Sequence, residues 1–80
     1  MTLQDIQKEA DQAGEKYGPF NSTHEAAAVL REEFEEFWEL VKMSKQDGEK
    51  SAHMIHELKQ IAAVAYRTAK EIEENKIRWI

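Results

Sequence analysis

Two carboxylate clusters, Glu32-Glu33-Phe34-Glu35-Glu36 and Glu57-Leu58-Lys59-Gln60, sit at helical spacings where a buried seam would carry apolar side chains. Val29, Glu33, Glu36 and Leu40 recur at intervals of three and four, so two carboxylates lie mid-seam with apolar residues on either side. Downstream, His53, Glu57, Gln60, Val64 and Arg67 repeat the rhythm. In an antiparallel hairpin, facing residue numbers share one sum. The pairs Glu36 and Glu57, Glu33 and Gln60, Val29 and Val64, Ala26 and Arg67, and Leu40 and His53 all give 93. The implied pivot falls between Gln46 and Asp47, beside Gly48, where the Asp-Gly pair independently marks a turn. Three carboxylates and an amide are thereby expected to converge.

Like charges gathered in a partly desolvated groove cost several kcal/mol per uncompensated ion, so this arrangement calls for a counter-ion. Oxygen donors without cysteine suit a hard cation, Mg²⁺ or Mn²⁺, and Mg²⁺ commonly shares its shell with substrate phosphates. Gly14, Gly18 and Gly48 are isolated and form no phosphate-binding loop, which leaves a metal as the route to phosphate. An isolated Glu-rich run is ordinarily a solvated helix face. A second acidic helix facing this one favours the metal site, with Glu35 and Glu39 left to solvent. A di-iron carboxylate bundle is excluded because no glutamate is followed three residues later by histidine.

The elements that must position these groups are three helices, expected over residues 2–17, 22–45 and about 49–75. Gly18-Pro19 breaks the first. Ser22, followed three residues later by Glu25, fits a capping box opening the second, and Lys42 and Lys45 suit its carboxyl end. Ala27, Leu30, Phe34, Phe37 and Val41 predict a buried stripe beside the acidic seam. On the third helix, Met54 or Ile55, Leu58, Ile61 or Ala62, Ala65, Ala69 and Ile72 are expected to be buried. A first-helix seam of Leu3, Ile6, Ala10, Ala13 and Tyr17 is too short to cover both long helices. The apolar tail, residues 77–80, is expected either to pack on the bundle or to join an interface.

Eighty residues allow one domain, and a chain of this size buries only ~60–65% of its unfolded surface. The fold expected is therefore an all-α bundle, a helical hairpin plus an N-terminal helix, completed by homo-oligomerisation. Eleven basic residues against 16 acidic ones, scattered along a chain of net charge −5, argue against extended nucleic acid as a partner. No segment reaches the ~20 apolar residues of a membrane span, and residues 1–6 lack the plan of a signal peptide, so a cytoplasmic location is expected. With no cysteine, disulfides and thiolate chemistry do not enter.

Leu30-Arg31-Glu32-Glu33-Phe34-Glu35-Glu36-Phe37, with 20 residues between Glu36 and the following Glu57-Leu58-Lys59-Gln60, resembles the E-x-x-E then E-x-x-D signature of the MazG-like, all-α nucleoside triphosphate pyrophosphohydrolases. The likeness covers about residues 17–70, and Tyr17-Gly18-Pro19-Phe20-Asn21-Ser22-Thr23-His24-Glu25 looks like the lead-in of small single-domain members. The resemblance implies a helical bundle, a dimer or tetramer, and Mg²⁺-dependent cleavage of a nucleotide between its α- and β-phosphates. Glu33, Glu36 and Glu57 then match metal ligands. Gln60 departs from the pattern, removing one charge while keeping a carbonyl oxygen able to coordinate. Its neutrality keeps open a second reading, a catalytically degenerate interaction or nucleotide-binding module.

Under the hydrolase reading, Glu32 and Glu33 are the candidates for orienting the attacking water. Glu32 lies ~100° round the helix from Glu33 and is otherwise an exposed glutamate. Arg67 either reaches a phosphate or pairs with Glu25 or a surface carboxylate. Lys59 contributes similarly or is solvated. His24 either touches the nucleotide or packs in the loop, and His53 lines the pocket or sits exposed near a helix start. Trp38 offers base stacking, although beside Phe34 and Phe37 it reads first as core or oligomer contact.

Overall fold

The computed structural model describes residues 1–43 and 48–78. They form α1 (Leu3–Tyr17), α2 (Thr23–Lys42) and α3 (Gly48–Glu73), in agreement with the all-α expectation. No strand occurs among the described residues, where Ser22 and Arg78 form an isolated β-bridge. The expected turn at Gln46-Asp47 and the expected α2 end at Lys45 lie outside the described residues. Gly48 opens α3.

The helix ends follow local chemistry. Thr2 and Asp5 form a full capping box at α1, each side chain bonding the other's backbone N–H at 2.9 and 3.1 Å. At α2 only half of the expected box forms. Ser22 Oγ accepts from the Glu25 amide at 3.1 Å, but the Glu25 carboxylate turns to the backbone N–H and side-chain amide of Asn21. The Ser22 N–H is thus not its target, because Asn21 presents two donors where Ser22 would present one. Gly18 ends α1 at φ 71°, a backbone conformation that favours glycine. α3 stops at Glu73, earlier than expected, because Asn75 adopts φ 58° and the amides of Asn75 and Lys76 close onto the carbonyls of Ile72 and Glu71.

α3 is the central element. It packs against both α2 and α1, and no Cα of α1 comes within 8 Å of a Cα of α2 among the described residues. The connector from Gly18 to Ser22 therefore crosses over α3. Backbone buried at a crossing needs partners, and α3 supplies them. Glu71 Oε1 accepts from the Phe20 amide at 2.8 Å, and Arg67 donates to the Gly18 carbonyl. Phe20, Ala26 and Ile77 form the core at this end, with Val29, Val64 and Ile72 packed against it. Ile77 thus docks on the bundle, and the Arg78 carbonyl accepts the Thr23 amide at 2.9 Å, satisfying a donor at the start of α2. Trp79 and Ile80 lie outside the described residues.

Which stripes are buried differs from expectation. On α2, Ala26, not Ala27, is buried. Phe34 and Val41 stand 52% and 41% exposed, while Leu30 and Phe37 are half-buried. On α3 the buried residues are Ala63, Arg67 and Glu71, whereas Ile55, Leu58, Ala65 and Ala69 are exposed. Leu3 and Tyr17 of the α1 seam are exposed too, with Ala10 buried and Ile6 and Ala13 half-buried. The physical reason is the layout. One helix covers one face of α2, and α1 spends its face on α3. The molecule measures 43 × 26 × 18 Å, and its thin dimension is less than two 10–12 Å helix diameters.

Candidate metal centre

Glu33 and Glu36 project from α2, one turn apart, toward Glu57 of α3. One carboxylate oxygen of each lies within 4.8 Å of the others, as the shared register of the two seams predicts. Opposed ligands of an octahedral Mg²⁺ are separated by roughly 4.2 Å, given bonds of about 2.1 Å. The three oxygens are therefore close enough to share one ion after small side-chain adjustments.

The electrostatics are those of a site short of positive charge. Glu33, half-buried, is pushed up to about 7 by loss of solvent, then by the charge of Glu36, by hydrogen bonding and charge from Glu57, and by Glu32. Glu36 is also raised, mainly by hydrogen bonding with Glu57 and its charge, with His56 opposing the rise. Glu57 Oε2 is buried and has no hydrogen-bond partner. A carboxylate oxygen in that state costs about 1–3 kcal/mol or more unless a proton or cation reaches it. A proton held by Glu33 would meet the need up to about pH 7, and a divalent cation could meet it where the carboxylates are ionised. The all-oxygen donor set and this orphaned atom fit Mg²⁺ or Mn²⁺.

The other predicted site residues divide by flank. Gln60 stands one turn from Glu57, and its side-chain Nε2 donates to Glu9 Oε1 of α1 at 2.8 Å. Lys59 is half-buried, and its charge reaches Asp5 of α1. Glu32, His24 and His53 are exposed. Glu35 and Glu39 face solvent as expected, paired with Arg31 at 3.2 Å and Lys42 at 2.9 Å. Trp38 is 48% exposed.

Arg67 is paired, but with neither Glu25 nor a surface carboxylate. Its partner is Glu71, at 2.8 Å with both side chains about nine-tenths buried, rather than Glu25. Its guanidinium also stacks 4.0 Å from the centre of the Phe20 ring. With one nitrogen on Glu71, another on the Gly18 carbonyl and its face on Phe20, the side chain fastens the connector to α3.

Because α1 and α2 stand apart, a groove of about 410 Å³ runs between them. Its floor is Gln60, Val64 and Arg67. Ala13 and Tyr17 form one wall, Glu25, Val29 and Glu33 the other, and Pro19, Phe20 and Asn21 close the end. Glu33 thus belongs both to the carboxylate trio and to the groove, so a molecule lying in the groove meets the candidate metal ligands. Two neighbours of the site escaped the sequence reading. His56, adjacent to Glu57 in the chain, had a legible signal in its position beside the acidic pair. Glu9 had none, since its relation to Gln60 spans 51 positions. Comparison of the chain with protein-family models, with curated proteins and with solved structures finds no match.

Proposed function

We propose that the protein is a Mg²⁺-dependent pyrophosphohydrolase that converts nucleoside or deoxynucleoside triphosphates to the monophosphate and pyrophosphate, a house-cleaning activity of the MazG-like type. The observation that carries this reading is the convergence of Glu33, Glu36 and Glu57, with one buried oxygen unpartnered, at the side of a groove of small-molecule size. The signature resemblance of the same residues supplies the reaction.

Bound by Glu33, Glu36 and Glu57, Mg²⁺ (or Mn²⁺) would neutralise the triphosphate and polarise its phosphoryl oxygens. The residues of the chain supply position. The groove walls hold the nucleoside with the triphosphate directed toward Glu33. Glu32 and Glu33 are the carboxylates placed to orient a water for attack on the α-phosphorus. Its oxygen joins phosphorus, its proton passes to Glu32 or Glu33, and the bond to the α–β bridging oxygen breaks as pyrophosphate leaves. No covalent enzyme intermediate is needed. Arg67, occupied by Glu71 and Gly18, contributes to this scheme by holding the groove's end, with direct phosphate contact assigned to the metal. Lys59 and His24 are assigned no phosphate contact.

The proposal includes a homodimer or homotetramer. Phe34, Trp38 and Val41 of α2 and Ile55 and Leu58 of α3 are each 38–52% exposed. The pairing of the seams sets Trp38 level with Ile55, which gathers these side chains on one side of the hairpin. A second copy is the simplest cover for such a face. No described helix is long and apolar enough to cross a membrane, and the expected cytoplasmic location is part of the same proposal.

The test is pyrophosphate release from a panel of ribo- and deoxyribonucleoside triphosphates with Mg²⁺, beside Glu36→Ala and Glu57→Ala. Metal-dependent turnover abolished in both variants is expected. One observation favours the second reading, a degenerate module of the same fold: position 60 carries a neutral glutamine where the signature has aspartate. Folded protein that binds nucleotide or metal without turnover would select that reading.

A further inference from the structure

Gln60 lies between the two flanking helices, with Glu9 of α1 on one side and Glu33 across the groove floor on the other. A glutamine amide has a donating branch and an accepting branch, and they point apart. Which branch faces which neighbour is decided by those neighbours. An ionised Glu9 carboxylate only accepts, so it captures Nε2, and the 2.8 Å contact shows that it has done so. The carbonyl oxygen is therefore not the branch that meets Glu9. Gln60 is also one helical turn from Glu57, so both residues lie along the same face of α3.

We infer that Glu9 is a positioning residue for the metal centre: by holding the Gln60 amide nitrogen, it presents the Gln60 carbonyl oxygen to the cation bound by Glu33, Glu36 and Glu57. This rests on the metal-site reading above and extends it to α1, a helix that supplies no carboxylate to the trio. It also accounts for the residue at position 60. An aspartate there would set a second carboxylate against Glu9, whereas glutamine turns that neighbour into an orienting partner and still offers an oxygen. Outer partners of metal ligands work in this way, and their removal typically costs 10–100-fold in metal affinity.

The experiment measures Mn²⁺ affinity, by electron paramagnetic resonance or calorimetry, together with the thermal midpoint. The proteins are the wild type, Glu9→Ala, Glu9→Gln, Gln60→Leu and the Glu9→Ala/Gln60→Leu double variant. Glu9→Ala is expected to weaken Mn²⁺ binding by about 10-fold, with a smaller loss in Glu9→Gln, whose carbonyl can still accept from Gln60. In the Gln60→Leu background the Glu9→Ala change should lose most of its effect, because nothing remains to orient. An equal loss in both backgrounds would mean that Glu9 acts through its charge alone, and the inference fails. It fails also if Glu9→Ala lowers the thermal midpoint but leaves Mn²⁺ affinity unchanged, the pattern of a strut between α1 and α3. Wild-type protein that binds no Mn²⁺ would overturn the metal-site reading and this inference together. Glu9→Gln keeps the test decisive should Glu9→Ala fail to fold.

Discussion

Ten residues apart on α3, two groups of charges are treated in opposite ways. At the closed end of the molecule, Arg67 and Glu71 neutralise each other at 2.8 Å, and their remaining atoms serve the Gly18 carbonyl and the Phe20 amide. In the acidic middle, Glu57 meets Glu33 and Glu36, all of one sign, and keeps a buried oxygen with no partner. The first arrangement is complete within the chain and holds a crossing connector in place. The second is incomplete and invites a ligand. A buried charge therefore marks a site only when the fold leaves it unanswered. Sequence spacing treats both groups alike, since Arg67 continues the seam of Glu57 and Gln60.

The contrast can be broken most forcefully at its closed end. Glu71→Ala strands a buried guanidinium and is expected to cost about 3–5 kcal/mol, a large fraction of the total stability of a domain of this size. Replacing both members together, as Arg67→Met/Glu71→Leu, should recover part of that loss, with the connector's own hydrogen bonds still missing. Urea denaturation of the three proteins measures it. Equal stability of Glu71→Ala and wild type would refute the role assigned to the pair.

At the acidic middle, Glu36→Ala and Glu57→Ala should each lower pyrophosphate release by about 100-fold or more, the upper range seen even for residues that only support a ligand. Neither change should lower the stability of the metal-free protein, since each removes a repulsive charge. A stability loss like that of Glu71→Ala would show that the trio is a structural network instead.

The pH dependence should separate the two regions next. A carboxyl whose folded pKa is raised contributes stability below its ordinary 4.5 and loses it as pH climbs through the folded value, about 7 for Glu33. Metal-free protein is therefore expected to lose stability between those limits, and Mg²⁺ should raise the thermal midpoint at pH 8 more than at pH 5. Glu33→Gln should flatten this slope. Because Glu33 is only half-buried, the change is expected to be at most about 1 kcal/mol after solvent screening, or about 4–8 °C. A metal-free midpoint that rises over the same pH interval would contradict the assignment.

The smallest effect belongs to charges in neither region. Arg31 and Glu35 pair at 3.2 Å with side chains 81% and 62% exposed. Arg31→Ala should change stability by less than about 0.5 kcal/mol and leave turnover alone. A larger change in either would tie this outer face of α2 to an interface.

Much of the design is legible along the chain. Ser22 and Gly18 mark helix ends through chemistry that operates within a few residues. The Glu33, Glu36 and Glu57 trio is legible because a helix and a short hairpin translate spacing into position. Phe34 and Val41 were misplaced for a physical reason: periodicity reports that a stripe is apolar without saying what covers it, and here α1 covers α3 instead. Arg67 was open between a phosphate and a carboxylate for a related reason, since its Glu71 partner became meaningful only once the connector crossed above them.

What the sequence by itself determined is local and periodic: three helices, most of their ends, and the meeting of the acidic seams. Tertiary structure alone decided that α1 and α2 both pack on α3 with their own backbones held apart, which opens the groove between them and takes the connector across the middle helix. It also brought Glu9 to Gln60, Gly18 to Arg67 and Ile77 to Phe20. These partners lie about 50 positions apart or more. Pairings at that separation are set by packing and by satisfying buried backbone, neither of which leaves a short-range pattern in the chain.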